Sequence, residues 1–490
     1  MNRTLLLLLV ALAAPVSAMA ATAAGDPEAW HVRVPDQPAA VLVKNATIWT
    51  SGPQGRLEHA DLLVEKGKIV KVGTGLSAPK GAVVVDAEGK HVTPGIIDEH
   101  SHSCVVGDVN EGTHNVSAEV RIQDVINSET TNIYRQLAGG VTCANELHGS
   151  ANAIGGQNCV VKMRYGENPE ALKLAGAKPG IKFALGENPK QSNWGDRYTQ
   201  RYPQTREGVE QLIRERFQAA RDYKKEREEF AKTHKGLPPR RDLQLDALVE
   251  ILDGKRLVHS HAYRADEMLM LLSVADDFGF RIGSFQHVLE GYKIADEIAK
   301  RGTGASTFSD WWAYKFEVYD AIPYNGSIMW DRGVNVTFNS DSDELARRLN
   351  LEAAKAVKYG GVPEAEALKF VTLNAAKQLD IADRVGSLEA GKDADFAIWS
   401  GSPLSVYSVC EQTWVDGRKY FDRAEDLAAR STVAAERDSL IAAVKASKKS
   451  DKKGKSEAAP VAAPQGAAAF KPPKYQTSDG QGCMGKGDEQ

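Results

Sequence analysis

No CxxC pair occurs anywhere in this 490-residue chain, and its five cysteines (Cys104, Cys143, Cys159, Cys410 and Cys483) lie far apart. That spacing gives no signal of a thiolate zinc cage. An odd count excludes a complete disulfide framework and leaves room for one or two bridges in an oxidising compartment. Charge of one sign is also lacking. Lys and Arg total 61 against 65 Asp and Glu, a net charge of -4, so the whole chain is no basic nucleic-acid binder. No long apolar run follows the N-terminal one, which predicts a soluble mature chain without a membrane span.

What is present reads as globular: 42% hydrophobic and 26% charged residues give ample material for a large core. The N-terminus, MNRTLLLLLVALAAPVSAMA, has a basic Arg3, a short apolar stretch and a small-x-small Ala18-Met19-Ala20. It predicts a cleaved signal peptide over residues 1–20 and export to the periplasm or beyond.

Short apolar runs fill residues 39–92: Val41–Val43, Ala46–Trp49, Leu62–Val64, Ile69–Val72 and Val83–Val85. A second strand-rich piece spans 385–423, including Phe396–Trp399 and Gln412–Gly417. The spacing predicts one small β-sandwich domain built from both flanks. Between them, residues 93–384 alternate strand-like and helical patterns, which predicts an α/β unit with a parallel sheet, open or closed into a barrel. Residues 206–242 read as an exposed helix with opposite charges in register. From about 445 to 490 a Lys/Ala/Pro-rich tail predicts disorder, with its basic run available to an acidic surface.

The chemistry-bearing residues fall at predicted strand ends. His100 and His102 stand two apart after Ile96-Ile97, so both imidazoles share one face. His261 ends the run from Leu257, His287 the run from Ile282, and Asp341 follows the run Val334–Phe338. C-terminal strand ends converge on one rim in a closed α/β barrel. Four histidines and an aspartate there suit a divalent metal with room for water. His259 shares the parity of His261 but lies deeper, as a core histidine or a hydrogen-bond partner of a ligand. His114 and His148 read as loop histidines, on the surface by preference, with substrate contact the alternative for each. A second metal would need an anionic bridge from 181–188. Glu187 is favoured by its rim position, and Lys182, if carboxylated on its amine, is the alternative. Asn152, Gln157 and Asn188 sit in loops expected on the same rim, where they would bind polar groups of a substrate.

These residues lie in motifs that resemble the amidohydrolase superfamily, in particular its imidazolonepropionase-related branch: VTPGIIDEHSH at 92–102, GGVT at 139–142, HSHAYRADEM at 259–268, QHVLEG at 286–291, VTFNSDSD at 336–343 and VGSLEAGKDADFAIW at 385–399. The resemblance covers about 39–423. It implies a distorted (β/α)8 TIM-like barrel with a small β-sandwich formed from both flanks. It also implies one or two divalent ions, zinc by default, with Asp341 both binding metal and handling protons. The activity implied is hydrolysis of a C–N bond in a small amide, a cyclic amide or a short peptide. Deamination of an aminated heterocycle, or a non-catalytic secreted binding protein on the same fold, are the competing readings. A homo-oligomer is left open.

Overall fold

The computed structural model describes residues 32–194, 200–311 and 314–454. The proposed signal peptide, Cys483 and the tail beyond 454 lie outside the described residues.

Strands from both ends of the chain merge into one eight-stranded sheet. The N-terminal flank contributes Ala40–Trp49, Arg56–Glu65, Lys68–Gly73, Val83–Asp86 and His91–Pro94. Phe396–Trp399, Cys410–Val415 and Arg418–Asp422 come from the C-terminal flank. The seam is antiparallel, with Phe396 opposite Pro94 and Trp399 opposite His91. The two runs Val41–Val43 and Ala46–Trp49 form one strand, not two. Its register shifts between Val43 and Ala46, where Asn45 adopts φ 58°, a left-handed conformation that Asn tolerates better than most residues. Ile48, Leu62, Val64, Val92, Phe396 and Ile398 are buried along this sheet, each side chain contributing about 1.5–3 kcal/mol of transfer free energy.

The middle of the chain forms two further sheets. One runs Ile96–Ser101, Val141–Glu146, Cys159–Lys162. The other has the order Asn335–Phe338, Gly304–Thr307, Ile282–His287, Leu257–Ala262, Gly180–Ala184, Ile154–Gln157. Pairing is parallel except where Ile154–Gln157 and Cys159–Lys162 join their neighbours. Among the described residues no continuous ladder closes the two sheets into one barrel. They do meet where the Asp341 amide donates to the His100 carbonyl at 3.1 Å. Three strands escape the sequence pattern: Ile154–Gln157, Cys159–Lys162 and Gly304–Thr307. The first and last are rich in small or polar residues, which carry little β signal.

Helix Arg206–Thr233 begins at Thr205, whose hydroxyl accepts from the Gly208 amide. It is amphipathic, not exposed all round. Val209, Leu212, Ile213, Phe217 and Ala220 are buried, and Phe217 stacks on Phe280 with ring centroids 4.4 Å apart. Its charged face keeps the expected i,i+4 pairing, as in Arg214–Glu210. The basic run from Lys445 is helical as far as Gly454, at the end of helix Arg423–Gly454. Over that stretch the structure departs from the expected disorder, because an Ala-rich run free of internal Gly and Pro has high helix propensity. Among the described residues no helix is long and apolar enough to cross a membrane. Cys104, Cys143, Cys159 and Cys410 are buried free thiols.

Candidate metal centre

Five of the proposed ligands reach one place. His100 lies in strand Ile96–Ser101, with His102 just past its end. Leu257–Ala262 carries His261, Ile282–His287 ends on His287, and Asp341 stands three residues beyond Phe338. The Nε2 atoms of His100 and His102 are 3.3 Å apart. Asp341 Oδ1 is 3.5 Å from the first and 3.3 Å from the second, and Oδ2 is 3.9 Å from His287 Nε2. His287 lies 4.9 Å from His100 and 4.7 Å from His261 between ring centroids.

The backbone is strained where the ligands sit. His287 has φ 70° and Asp341 φ 45°, conformations that non-glycine residues seldom adopt and that cluster at functional sites. At His287 the strain has a geometric effect. Consecutive residues of a regular strand face opposite ways, yet Gln286 and His287 both meet His100. Asp98 holds the other strained loop. Its buried carboxylate accepts from the Ser340 hydroxyl at 2.5 Å, the Ser340 amide at 3.1 Å and the His100 amide at 3.3 Å. Burial pushes Asp98 up to about 7 despite those bonds. The sequence marks it only as the carboxylate that ends an apolar run.

The donor set suits a divalent ion. One atom each from His100, His287 and Asp341 lie within 4.8 Å of one another. Neither ring nitrogen of His287 has a hydrogen-bond partner, nor does Nδ1 of His261, although both rings are fully buried. Buried polar atoms are seldom left so. Burial drives the imidazoles toward the neutral form that ligates metals. It does so for His100 and His261, and takes His287 down to about 3. Burial also raises Asp341, but the nearness of His102, His287 and Lys182 outweighs it and holds the carboxyl below its usual range.

Where an anionic bridge was expected, Lys182 and not Glu187 lies against the histidines. Lys182 is fully buried, with Nζ 3.1 Å from His100 Nε2. Glu187 instead pairs with Lys315 at 2.7 Å. The strand stops at Ala184 and the chain turns at Gly186 (φ 81°), so strand parity does not extend to Glu187, and its side chain leaves the histidine cluster. The proposed substrate residues also divide. Asn188 belongs to the site, its amide 2.7 Å from Ser150 Oγ and 3.4 Å from His261 Nε2. Asn152 braces a loop by donating to the Glu111 and His114 carbonyls. Gln157 is in a strand, not a rim loop. It pairs with Ile181 near the start of its strand and lines a cavity of about 350 Å³ with Arg121, Lys178 and Arg256, away from the histidines. His259 is the buried core histidine expected, bonded to Ser284. His114 is exposed. His148 is no surface residue: it is buried between the Gly149 carbonyl and the Glu111 amide.

Sequence reasoning missed an aromatic wall beside the cluster. Tyr263 meets His261 edge-on at 4.5 Å, Phe308 stacks on His287 at 5.1 Å, and Trp311 stacks on Phe308 at 4.2 Å. Lys315 lies over the Tyr263 ring at 4.4 Å. The aromatic-rich run after strand Gly304–Thr307 is the sequence signal for Phe308 and Trp311.

The chain is similar to several known amidohydrolases. Residues 327–449 match the model of the Amidohydrolase family. The amidohydrolase tasK of Hapsidospora irregularis is 31% identical over 82% of this chain, which spans only 45% of that relative. An imidazolonepropionase of Thermoplasma volcanium is 24% identical over 70% of this chain and 84% of its own. A solved amidohydrolase from Thermotoga maritima MSB8 is 34% identical, with a TM-score of 0.72 over 78% of this chain and all of that one. With the histidine–aspartate cluster at the strand ends and a full-length structural relative at that identity, the chain belongs to the amidohydrolase superfamily.

Proposed function

We propose that this protein is an exported, metal-dependent hydrolase of C–N bonds, acting on a small amide, a cyclic amide or a short peptide. The carrying observation is the convergence of His100, His287 and Asp341 donor atoms within 4.8 Å, beside His102, His261 and Lys182. His100, His102, His261, His287 and Asp341 would hold a divalent ion, zinc by default, which supplies the Lewis acidity that makes water a nucleophile near neutral pH. Asp341, held in its ionised form, accepts the proton of the attacking water and delivers it to the nitrogen as the C–N bond breaks. Lys182, carboxylated on its amine, is the residue through which a second ion would be held. Tyr263, Phe308 and Trp311 offer an apolar face to the substrate. Asn188 offers an amide.

The reading extends to a closed (β/α)8 barrel, a flank sheet folded as a small β-sandwich, and a leader that is removed on export. Metal analysis of the purified protein, paired with a screen of N-acyl amino acids, lactams and dipeptides, tests the activity. A metal-free protein that cleaves none of them sinks the proposal. Release of ammonia from an aminated heterocycle would replace amide hydrolysis with deamination. Asp341→Asn should lower turnover at least ~10²-fold while most of the metal stays bound. Undiminished turnover in that variant removes the proton role.

A further inference from the structure

Beneath the metal centre lies a closed hydrogen-bond circuit that the proposed chemistry leaves unused. Glu99, His259, Ser284 and Gln286 are all fully buried. Gln286 Nε2 donates one N–H to Glu99 Oε2 at 2.6 Å and the other to Ser284 Oγ at 2.7 Å. Ser284 Oγ–H in turn donates to Glu99 Oε1 at 2.9 Å. His259 Nδ1 lies 2.8 Å from the same hydroxyl oxygen. Both amide hydrogens of Gln286 are therefore committed, and its Oε1, 3.0 Å from His100 Nδ1, can only accept.

We propose that Gln286, held by Glu99 and Ser284, is a positioning residue that locks His100 in its Nδ1–H tautomer and so presents Nε2 to the metal. The proposal rests on the metal reading above. Each donor and acceptor in the circuit has one consistent role. A carboxylate accepts and does not donate, so rotating the Gln286 amide by half a turn would set its carbonyl oxygen against Glu99 and lose the bonds to Glu99 and Ser284. With the amide fixed, the His100 nitrogen facing Oε1 must carry the hydrogen. A neutral imidazole has one N–H, so Nε2 keeps its lone pair. That atom faces His102 Nε2 and Lys182 Nζ in the cluster. His102 is set in the same way by a different acceptor: its Nδ1 donates to the Leu147 carbonyl at 2.8 Å, and a carbonyl also cannot donate. The two histidines of the triplet thus aim equivalent atoms at one point, one through backbone and the other through a buried side-chain circuit.

Two measurements on the full chain test this. The first is ¹⁵N NMR of metal-free protein labelled at histidine, with His100 assigned by its loss in His100→Gln. Nδ1–H at His100 is expected, and Nε2–H overturns the proposal whatever the metal does. The second is zinc affinity by chelator competition. Gln286→Leu should lower it by roughly 10–100-fold, the usual cost of removing a group that orients a ligand. The exchanged pair Glu99→Gln with Gln286→Glu should recover most of that loss. In that pair the amide now at position 99 donates to the carboxylate now at position 286, which still accepts from His100. A role limited to packing would lower the melting temperature of the metal-free protein and leave zinc affinity within about twofold. That result in Gln286→Leu, or no recovery in the exchanged pair, also overturns the proposal. Wild-type protein that takes up no zinc fails the metal reading instead, and the tautomer still decides the rest.

Discussion

Lys162 offers the sharpest test of how the flanks are tied to the centre. Its side chain is fully buried, and its ammonium reaches Asp393 at 2.7 Å, Asp395 at 3.1 Å and Asp416 at 2.5 Å. Lys68 from the N-terminal flank joins at Asp393, and Arg164 at Asp416. One cluster therefore joins three parts of the chain. Lys162→Met removes the fully buried cation of this group and leaves Asp395 buried against the Asp416 amide, which donates to it at 2.8 Å. Breaking a buried pair from one side costs about 3–5 kcal/mol, a large part of the ~5–15 kcal/mol that stabilises a typical domain.

The loss should depend on pH. Burial raises the Asp393 carboxyl, but Lys162 outweighs it and holds it at about 2, whereas burial dominates at Asp395 and lifts it to about 6. An unfolded aspartate titrates near ~3.9. Asp393 thus contributes stability above that value that is lost as pH falls through about 2. Asp395 contributes stability below it that is lost as pH rises through about 6. Without Lys162 both carboxyls move up, so the deficit should be largest at pH 8 and shrink toward pH 5. Urea unfolding of wild type and variant across that range measures it, and adding Asp395→Asn to the variant should recover part. A deficit below ~1 kcal/mol that is flat with pH would refute this coupling.

Three further outcomes are expected. Lys182→Met should lower bound metal and turnover together, whereas Glu187→Gln should leave the metal content of purified protein unchanged; the reverse would return the bridging role to Glu187. Burial, then the charges of Glu187 and Glu267, push Glu317 up to about 7, so its contribution is lost as pH rises through that value. Glu317→Gln should therefore unfold later than wild type at pH 8 and lose that advantage at pH 5 in thermal melts. Phe217→Ala empties a fully buried site against Phe183, Phe278 and Phe280 and should cost about 3–5 kcal/mol in urea unfolding, with the metal site intact.

The HSH triplet, His261, His287 and Asp341 were legible from sequence because strand ends follow apolar runs, and parallel strands bring those ends together. The shared flank sheet was legible too, since its two pieces carry matching strand patterns. The tertiary structure alone decided what depends on orientation across strands. It placed Lys182 against His100 and sent Glu187 to Lys315, because the chain leaves strand geometry at Gly186. It turned Gln286 and His287 together toward His100 through a positive φ that no periodicity encodes. It moved Gln157 away by inserting an antiparallel strand of weak β character. Local pattern fixes which residues end a strand. Which side chains meet there is set by neighbours hundreds of residues away, through contacts such as Asp98 with Ser340 and Lys162 with Asp395.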